Sequence, residues 1–192
     1  MIRLDDLTGL GGWDSSSHPI LHDLVDELRP KRIIEVGVWK GASLWWMAKK
    51  VNELGLDTEI VAVDTWLGSP EFESKPRMAA DVERSYDIFL ANMFSTQAFR
   101  YVTVLRQTSC NAAVILLRKE MKAEMIHIDG GHQEWQVFRD LEDYAPLLTP
   151  GGAIVGDDYD WPSVRAGAEK FTQSYRGWGR EDHDRKFVLR RT

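Results

Sequence analysis

The chain alternates between short runs that are apolar almost throughout and longer segments with helical periodicity. The apolar runs cover residues 32–37, 59–64, 101–105, 124–129 and 153–157. Strands that are apolar on both faces, rather than alternating, are typical of parallel sheets covered by helices on both sides. The pattern therefore predicts an α/β fold, with a Rossmann-like, mostly parallel sheet and helices on both faces.

Segments between these runs show the spacing of amphipathic helices. We predict helices at residues 42–54, 81–93, 111–122, 132–148 and 163–175. An N-terminal helical segment, residues 1–30, has its helix near Pro19 and ends at Pro30. Residues 149–152 are predicted to form a turn. A last strand at 186–190 is expected to be antiparallel and to pair with one near Trp178. At 192 residues, the whole chain 1–192 is expected to form a single domain.

Composition narrows the classes of partner. The formal net charge is -6 and no basic stripe is visible, which argues against nucleic acid as a partner. No run approaches the length of a membrane-spanning helix, so no membrane partner is expected. Cys110 is the only cysteine, so no internal disulfide can form, and we expect a cytoplasmic protein in which this residue is buried. Assembly as a homo-oligomer stays open.

Two strands end in carboxylates. Asp129 ends the fourth predicted strand and is followed by His132, while Asp157 and Asp158 end the fifth. Aspartates at these positions can simply cap the helices that follow. Ligands of open α/β sheets, however, collect at the carboxyl ends of strands, and three converging carboxylates repel one another unless a cation or a proton intervenes. The combination favours a metal or catalytic site.

The first strand leads into a glycine loop. Glu35, Gly37 and Gly41 lie at its end, and Asp64 ends the second strand. Gly37 permits a tight turn, and Gly41 lets the next helix start close to a ligand. Glu35 would repel a pyrophosphate but suit a cationic ligand, and neither phosphate-loop nor dinucleotide fingerprints are present. An acid such as Asp64 can accept hydrogen bonds from the hydroxyls of a ribose.

These motifs resemble class I S-adenosylmethionine-dependent methyltransferases over most of the chain. The sequence Glu35-x-Gly37-x-x-x-Gly41 matches the first motif of that family, and Asp64 matches its ribose-binding acid. The resemblance implies S-adenosylmethionine as the cofactor and places Ser109 where the family often contacts adenine. The predicted cofactor-binding residues are Glu35, Gly37, Gly41, Asp64, Ser109 and Asp129.

A narrower resemblance concerns residues 129–132 and 151–159. They are similar to metal-dependent O-methyltransferases, including enzymes that act on the sugars of natural products. This resemblance implies that Asp129, Asp157 and Asp158 bind Mg²⁺ and that the methyl acceptor is a hydroxyl of a sugar or another small molecule. The predicted catalytic residues are Asp129 and His132. The alternative for His132 is that it is an exposed residue at the start of a helix, without a catalytic role. The sugar enzymes often carry a second acid where this chain has Gly131.

Other residues after strand ends are candidates for ligand contact. Trp39, Trp66 and Trp161 follow strand ends, where an aromatic face could stack on a purine or a sugar. Their alternative role is packing. Residues 66–80 have little periodicity, and connections of this length are usually functional or mobile, so we predict a lid there.

Two other classes of function remain open at this stage. A nucleotide-sugar or dinucleotide enzyme could use the aspartates to bind phosphate through Mg²⁺, although Glu35 argues against a pyrophosphate. A non-catalytic protein with a methyltransferase-like fold could bind a partner, although the full set of acids and glycines argues against a decayed site.

Overall fold

The architecture was taken from a computed structural model, which describes residues 19–69 and 81–192. Seven strands form one sheet in the order β3-β2-β1-β4-β5-β7-β6. Their bounds are β1 Arg32–Val36, β2 Glu59–Asp64, β3 Val102–Arg106, β4 Ala123–Ile128, β5 Leu148–Gly156, β6 Trp178–His183 and β7 Lys186–Arg191. The predicted α/β fold and mostly parallel sheet are confirmed. The first 18 residues and most of the predicted lid, residues 70–80, lie outside the described part.

Strands β1 to β5 run parallel, and their register brings the site-bearing ends together. Glu35 pairs with His127 across β1 and β4, and Ile128 pairs with Gly156 across β4 and β5. Beyond the strands, Asp129 N–H donates to the Val36 carbonyl at 2.8 Å, and Asp157 N–H donates to the Ile128 carbonyl at 3.0 Å. The loops after β1, β4 and β5 are therefore fixed to one another by backbone bonds.

Helices cover both faces of the sheet. They are α1 Pro19–Leu28, α2 Ala42–Glu53, α3 Ser85–Ser95, α4 Ser109–Arg118, α5 Glu134–Tyr144 and α6 Pro162–Ser174. One buried cluster joins α1, α2 and α3 to the sheet through residues such as Leu24, Met47 and Phe89. A second joins α4, α5 and α6 to the other face through residues such as Leu116, Leu141 and Phe171.

The C-terminal strands depart from the parallel arrangement. β7 inserts between β5 and β6 and runs antiparallel to both. This confirms the predicted final strand and its partner near Trp178. The insertion affects the site, because it brings Lys186, the first residue of β7, and Arg185, just before it, beside the end of β5.

Three details differ from the sequence prediction. Helix α4 begins at Ser109 because Thr108 is its N-cap and accepts a hydrogen bond from the Asn111 backbone N–H. The predicted turn at 149–152 lies inside β5, which begins at Leu148, with an irregular register opposite Ala123 and Met125. Cys110 is exposed rather than buried, because the first turn of α4 faces solvent at this position.

Within the described ranges, none of the helices combines the length and apolar character needed to cross a membrane.

Candidate active site

A cavity of about 340 Å³ opens at the carboxyl edge of the sheet. Its wall is made by the loops after four neighbouring strands, β3, β2, β1 and β4, and by Asp158 after β5. Of the predicted site residues, those that line it are Gly37, Asp64, Ser109, Asp129, His132 and Asp158. Glu35, Gly41 and Asp157 are not among the lining residues. The cavity lies where open α/β sheets bind their ligands.

Asp64 organises the loops around it. Its Oδ2 accepts the backbone N–H groups of Val38 and Trp39, both at 2.8 Å, and its Oδ1 accepts that of Trp66 at 2.7 Å. A carboxylate has about four acceptor positions, so one remains for a ligand hydroxyl. The predicted ribose role is compatible with this geometry, but the three backbone bonds were not foreseen from the sequence.

The two tryptophans held by Asp64 have unusual backbones. Trp39 has a φ of 51° and Trp66 a φ of 55°, which are left-handed values. Non-glycine residues there are strained, by about 1–3 kcal/mol each, and persist only when the surroundings fix them. Trp39 lines the cavity. Trp66 is buried against Tyr86 and Phe89, and its Nε1–H donates to the Trp39 carbonyl at 2.7 Å, so it is a packing residue.

The two motif glycines are required by packing as well as by conformation. Gly37 has a φ of 83°, and a Cβ there would overlap the Asp129 carbonyl group. Gly41 has a φ of 84°, and a Cβ there would lie 2.7 Å from Met93 Cε. Gly37 thus allows the loops after β1 and β4 to touch. On the side where a Cβ would lie, Gly41 packs against α3, and it is not among the residues that line the cavity.

Glu35 lies behind the cavity wall. Its side chain is fully buried, and Oε1 accepts hydrogen bonds from the Ser43 hydroxyl and from His127, whose Nδ1 lies 3.0 Å away. Ser43 does line the cavity. Any action of Glu35 on a cationic ligand would therefore pass through Ser43. His127 is fully buried within β4.

Ser109 is already engaged by a buried acid. Its hydroxyl donates to Asp140 Oδ1 at 2.6 Å, and Asp140 also lines the cavity. Burial raises the pKa of Asp140 to about 6, although the Ser109 hydrogen bond acts in the opposite direction. Asp140 had no signal in the sequence, because an acid at this spacing on a helix is usually solvated.

This raised pKa predicts a pH dependence of stability. Between about pH 4 and 6 the folded protein holds a proton on Asp140 that the unfolded chain has lost, so stability falls as pH rises through this window. The loss is about 2–3 kcal/mol, because a tenfold change in a dissociation constant is worth about 1.4 kcal/mol. The free energy of unfolding of Asp140→Asn minus that of wild type should therefore be larger at pH 7 than at pH 4. Urea unfolding at both pH values measures this, and an equal difference at both would contradict it.

The acidic residues after β4 and β5 form two overlapping groups. We call His127, Asp129 and Asp157 the inner group, and Asp129, His132 and Asp158 the outer group. Within each group the potential ligand atoms lie within 4.8 Å of one another. Burial, followed by the charge of Asp157, raises the pKa of Asp129 well above its usual range. The structure brings Asp129 close to both Asp157 and Asp158, but it divides the three predicted carboxylates between two groups and adds His127 to one of them.

The outer group contains an imidazole–carboxylate pair. His132 Nε2 lies 2.8 Å from Asp158 Oδ2, and the ring lies against Trp161, tilted by 33°, with centroids 4.8 Å apart. Arg185 Nη2 donates to the other oxygen, Oδ1, at 2.7 Å. Burial acts to raise the pKa of Asp158, but the contacts with His132 and Arg185 outweigh it and hold the pKa below its usual range. Asp158 is therefore an ionised partner for His132.

Asp157 faces away from the cavity. Its Oδ1 accepts the Asp158 backbone N–H at 2.8 Å, and its Oδ2 forms an ion pair with Lys186. Lys186 is fully buried. No sequence signal indicated this, because a lysine at the start of an edge hairpin normally points to solvent.

The donor set suits a divalent cation. Carboxylate oxygens are the ligands that Mg²⁺ prefers, and imidazole nitrogen extends the choice to other divalent ions. The Nε2 atom of His127 is buried and has no hydrogen-bond partner among the described residues. The outer group faces the cavity, where it could hold an ion together with a ligand. Both oxygens of Asp157 and both oxygens of Asp158 have partners, but Asp157 is the least available of the three predicted metal ligands because it does not line the cavity.

Gly131 leaves no side chain at the position where the sugar enzymes often carry an acid. The Gln136 side chain fills the space, since a Cβ at Gly131 would lie 2.5 Å from Gln136 Cδ. Gln136 is held there by a capping box with Gln133 at the start of α5. His132 is thus the titratable side chain that the loop after β4 presents to the cavity beside Asp129.

Several solved O-methyltransferases have a similar architecture. The chain matches NovP with a TM-score of 0.68 and 16% identity, covering 90% of this chain and 78% of that one. It matches a Bacillus cereus O-methyltransferase, solved with SAH, at 0.67 and 16%, covering 98% and 91%. TomG from Streptomyces achromogenes, solved with SAM, matches at 0.58 and 15%, covering 98% and 89%. The fold is that of class I S-adenosylmethionine-dependent methyltransferases.

The sequence also matches a family profile. The profile described as Methyltransferase domain covers residues 34–159, from β1 to just beyond β5. The chain belongs to this family. It is also 30% identical over 135 residues to the uncharacterized protein y4gI of Sinorhizobium fredii (strain NBRC 101917 / NGR234). That match covers 70% of this chain and 14% of the longer relative.

Proposed function

We propose that this protein transfers a methyl group from S-adenosylmethionine to a hydroxyl group of a small molecule, with a sugar as the first candidate. The observation that carries the proposal is the His132–Asp158 pair, with 2.8 Å between its nitrogen and oxygen, at the wall of the same cavity that Asp64 and the glycine loop form. In this proposal, one cavity holds both the cofactor and the base that accepts the proton of the hydroxyl group.

Three features support the cofactor. The loop after β1 is shaped by Gly37 and tied down by Asp64, which keeps one acceptor position for a ribose hydroxyl. Ser43, Ser109 and Asp140 supply polar groups to the same wall. The related fold of proteins solved with SAH or SAM is consistent with a cofactor of this kind in this cavity.

The acceptor hydroxyl must lose its proton during transfer. Methyl transfer from a sulfonium is an in-line displacement, so the acceptor oxygen, the methyl carbon and the sulfur must be aligned. The proposed base is His132: ionised Asp158 contacts its Nε2 and fixes the ring, Trp161 lies against the ring, and Nδ1 would be the atom that takes the proton. Arg185 holds Asp158 in place from the other side. A positioned base of this kind contributes about 10²–10⁴ in rate.

We further propose that Mg²⁺ takes part at the acidic cluster. Asp129 and Asp158, on the cavity side, are the proposed ligands, whereas Asp157, the third predicted ligand, is already paired with Lys186. A bound divalent cation would lower the pKa of an acceptor hydroxyl. Asp129 is the group that most needs a cation, since burial and its neighbour Asp157 disfavour its charge.

Metal removal tests this part of the proposal. Methyl transfer from S-adenosylmethionine to a panel of glycosides and vicinal diols should be lost after EDTA treatment and restored by Mg²⁺. SAH affinity, measured by calorimetry, should change by less than about threefold, because Asp64 and the glycine loop do not belong to the acidic cluster. Full activity in protein shown to be free of metal would remove Mg²⁺ and leave His132 as the proposed base.

Binding assays separate the main proposal from its rivals. Calorimetry with SAH and with NAD should give binding for SAH alone, because the loop after β1 lacks the glycine fingerprint that brings backbone N–H groups to a pyrophosphate. Tight NAD binding would favour the dinucleotide class. SAH binding without turnover on any acceptor, with or without Mg²⁺, would favour a non-catalytic protein.

A further inference from the structure

Lys186 is a fully buried lysine that the proposed methyl transfer does not use. Charged lysines are almost never fully buried unless paired, because removing an ammonium from water is costly. Its partner is Asp157, the one predicted metal ligand that faces away from the cavity. Because Lys186 lies against the acidic cluster, its positive charge offsets part of the repulsion between the carboxylates.

The ammonium of Lys186 contacts one member of the inner group, Asp157. Its positive charge opposes the effects that raise the pKa of Asp129. The third member, His127, directs Nδ1 to Glu35 and leaves Nε2 buried without a partner among the described residues. The inner group is thus a compact set of two carboxylates and an imidazole, of the kind that binds divalent ions.

We propose that Lys186 is a permanent cation of the inner group and that its ammonium takes the place of a divalent ion there. Exchangeable metal is then confined to the two carboxylates of the outer group, Asp129 and Asp158, which line the cavity. The inference rests on the acidic cluster of the proposed function, but not on methyl transfer itself.

The backbone explains why a lysine can serve in this way. Residue 186 is the first residue of β7, and Phe187 pairs with Gly156 directly before Asp157. Phe187 also packs where Gly156 has no side chain, since a Cβ at Gly156 would overlap its ring. Because the antiparallel insertion of β7 fixes this register, the ammonium is delivered to Asp157 by the sheet itself.

Replacing the ammonium should create a metal site. Lys186→Met keeps the length of the side chain and removes its charge, so Mn²⁺ should bind with one additional equivalent or at least about tenfold more tightly than in wild type. Free Mn²⁺ is measured by electron paramagnetic resonance, with SAH present and no acceptor. Lys170→Met removes an exposed lysine from α6 and should leave Mn²⁺ binding as in wild type.

Two further variants complete the test. Asp157→Asn combined with Lys186→Met should lose the gain, because the inner group then lacks one of its carboxylates. Lys186→Arg keeps a cation and should show no gain. Mn²⁺ binding to Lys186→Met that equals wild type in stoichiometry and affinity would overturn the proposal.

Folding gives a second measurement. If Lys186→Met is unfolded without metal, the proposal requires that Mn²⁺ restore its circular dichroism, since a divalent ion should replace the missing cation. A variant that stays unfolded in saturating Mn²⁺ would also overturn it. A failed gain of Mn²⁺ binding together with EDTA-sensitive activity in wild type would reject this role of Lys186 while leaving the proposed function in place.

Discussion

His132→Gln is expected to lower kcat for methyl transfer by about 10²–10⁴, the usual contribution of a positioned general base. Glutamine retains a polar side chain of similar reach but cannot accept a proton at neutral pH. SAH affinity should stay within about threefold of wild type, because His132 belongs to the outer group rather than to the loops that Asp64 holds. Steady-state kinetics with saturating S-adenosylmethionine and calorimetry with SAH measure the two effects separately.

His22→Gln is a suitable control for this experiment. His22 lies in α1, where Nε2 contacts the Trp46 carbonyl at 3.0 Å, and it is not among the residues that line the cavity. Its replacement should leave kcat within about twofold of wild type. The base role would be rejected if His132→Gln kept more than about a third of the wild-type kcat at every pH from 6 to 9.

Asp64→Ala is expected to weaken SAH binding by about 100-fold or more. The change removes an acceptor for a ribose hydroxyl, and a hydrogen bond to a charged group is worth about 1.5–3 kcal/mol. It also releases the backbone N–H groups of Trp39 and Trp66, whose left-handed conformations then lose their support. A loss of about 1.4 kcal/mol corresponds to a factor of ten in affinity. Loss of the ribose hydrogen bond together with the backbone bonds of the two loops should therefore weaken SAH binding more than loss of the ribose hydrogen bond alone.

Asp57→Ala is the matched control. Asp57 is exposed and precedes the same strand, β2, at the end opposite the cavity. SAH affinity of this variant should equal that of wild type. An affinity of Asp64→Ala within about threefold of wild type would show that neither the ribose contact nor the loop bonds matter for binding.

The sheet and the convergence of its acids could be predicted because they depend on local patterns. Apolar runs separated by helices specify a parallel sheet, and carboxylates that follow neighbouring strands must meet at one edge. Asp129, Asp157 and Asp158 were found in this way. The approximate positions of the helices followed from periodicity. The start of α4 was predicted two residues too late, because it is set by the Thr108 cap, which periodicity does not show.

The partners of these acids could not be predicted, because they are set by tertiary contacts over long separations. Lys186 reaches Asp157 only because β7 inserts antiparallel beside β5. Gln136 fills the space above Gly131 only because α5 begins with a capping box. Likewise, the bonds from Asp64 to three backbone amides depend on the folded path of two loops. A single sequence contains no periodic signal for such contacts.

The insertion of β7 also affects the order in which the strands of the sheet can dock while the chain is synthesised. The chain is synthesised from its N-terminus, and β7 is the last strand of the sheet to emerge, although it occupies an interior position between β5 and β6. Until β7 docks, Asp157 lacks the ammonium of Lys186 and the edge of β5 is unpaired. A nascent sheet in this state has an exposed edge and an unneutralised acidic cluster, both of which disfavour compaction and leave it open to pairing with other chains. Docking of β7 therefore couples completion of the fold to completion of the site.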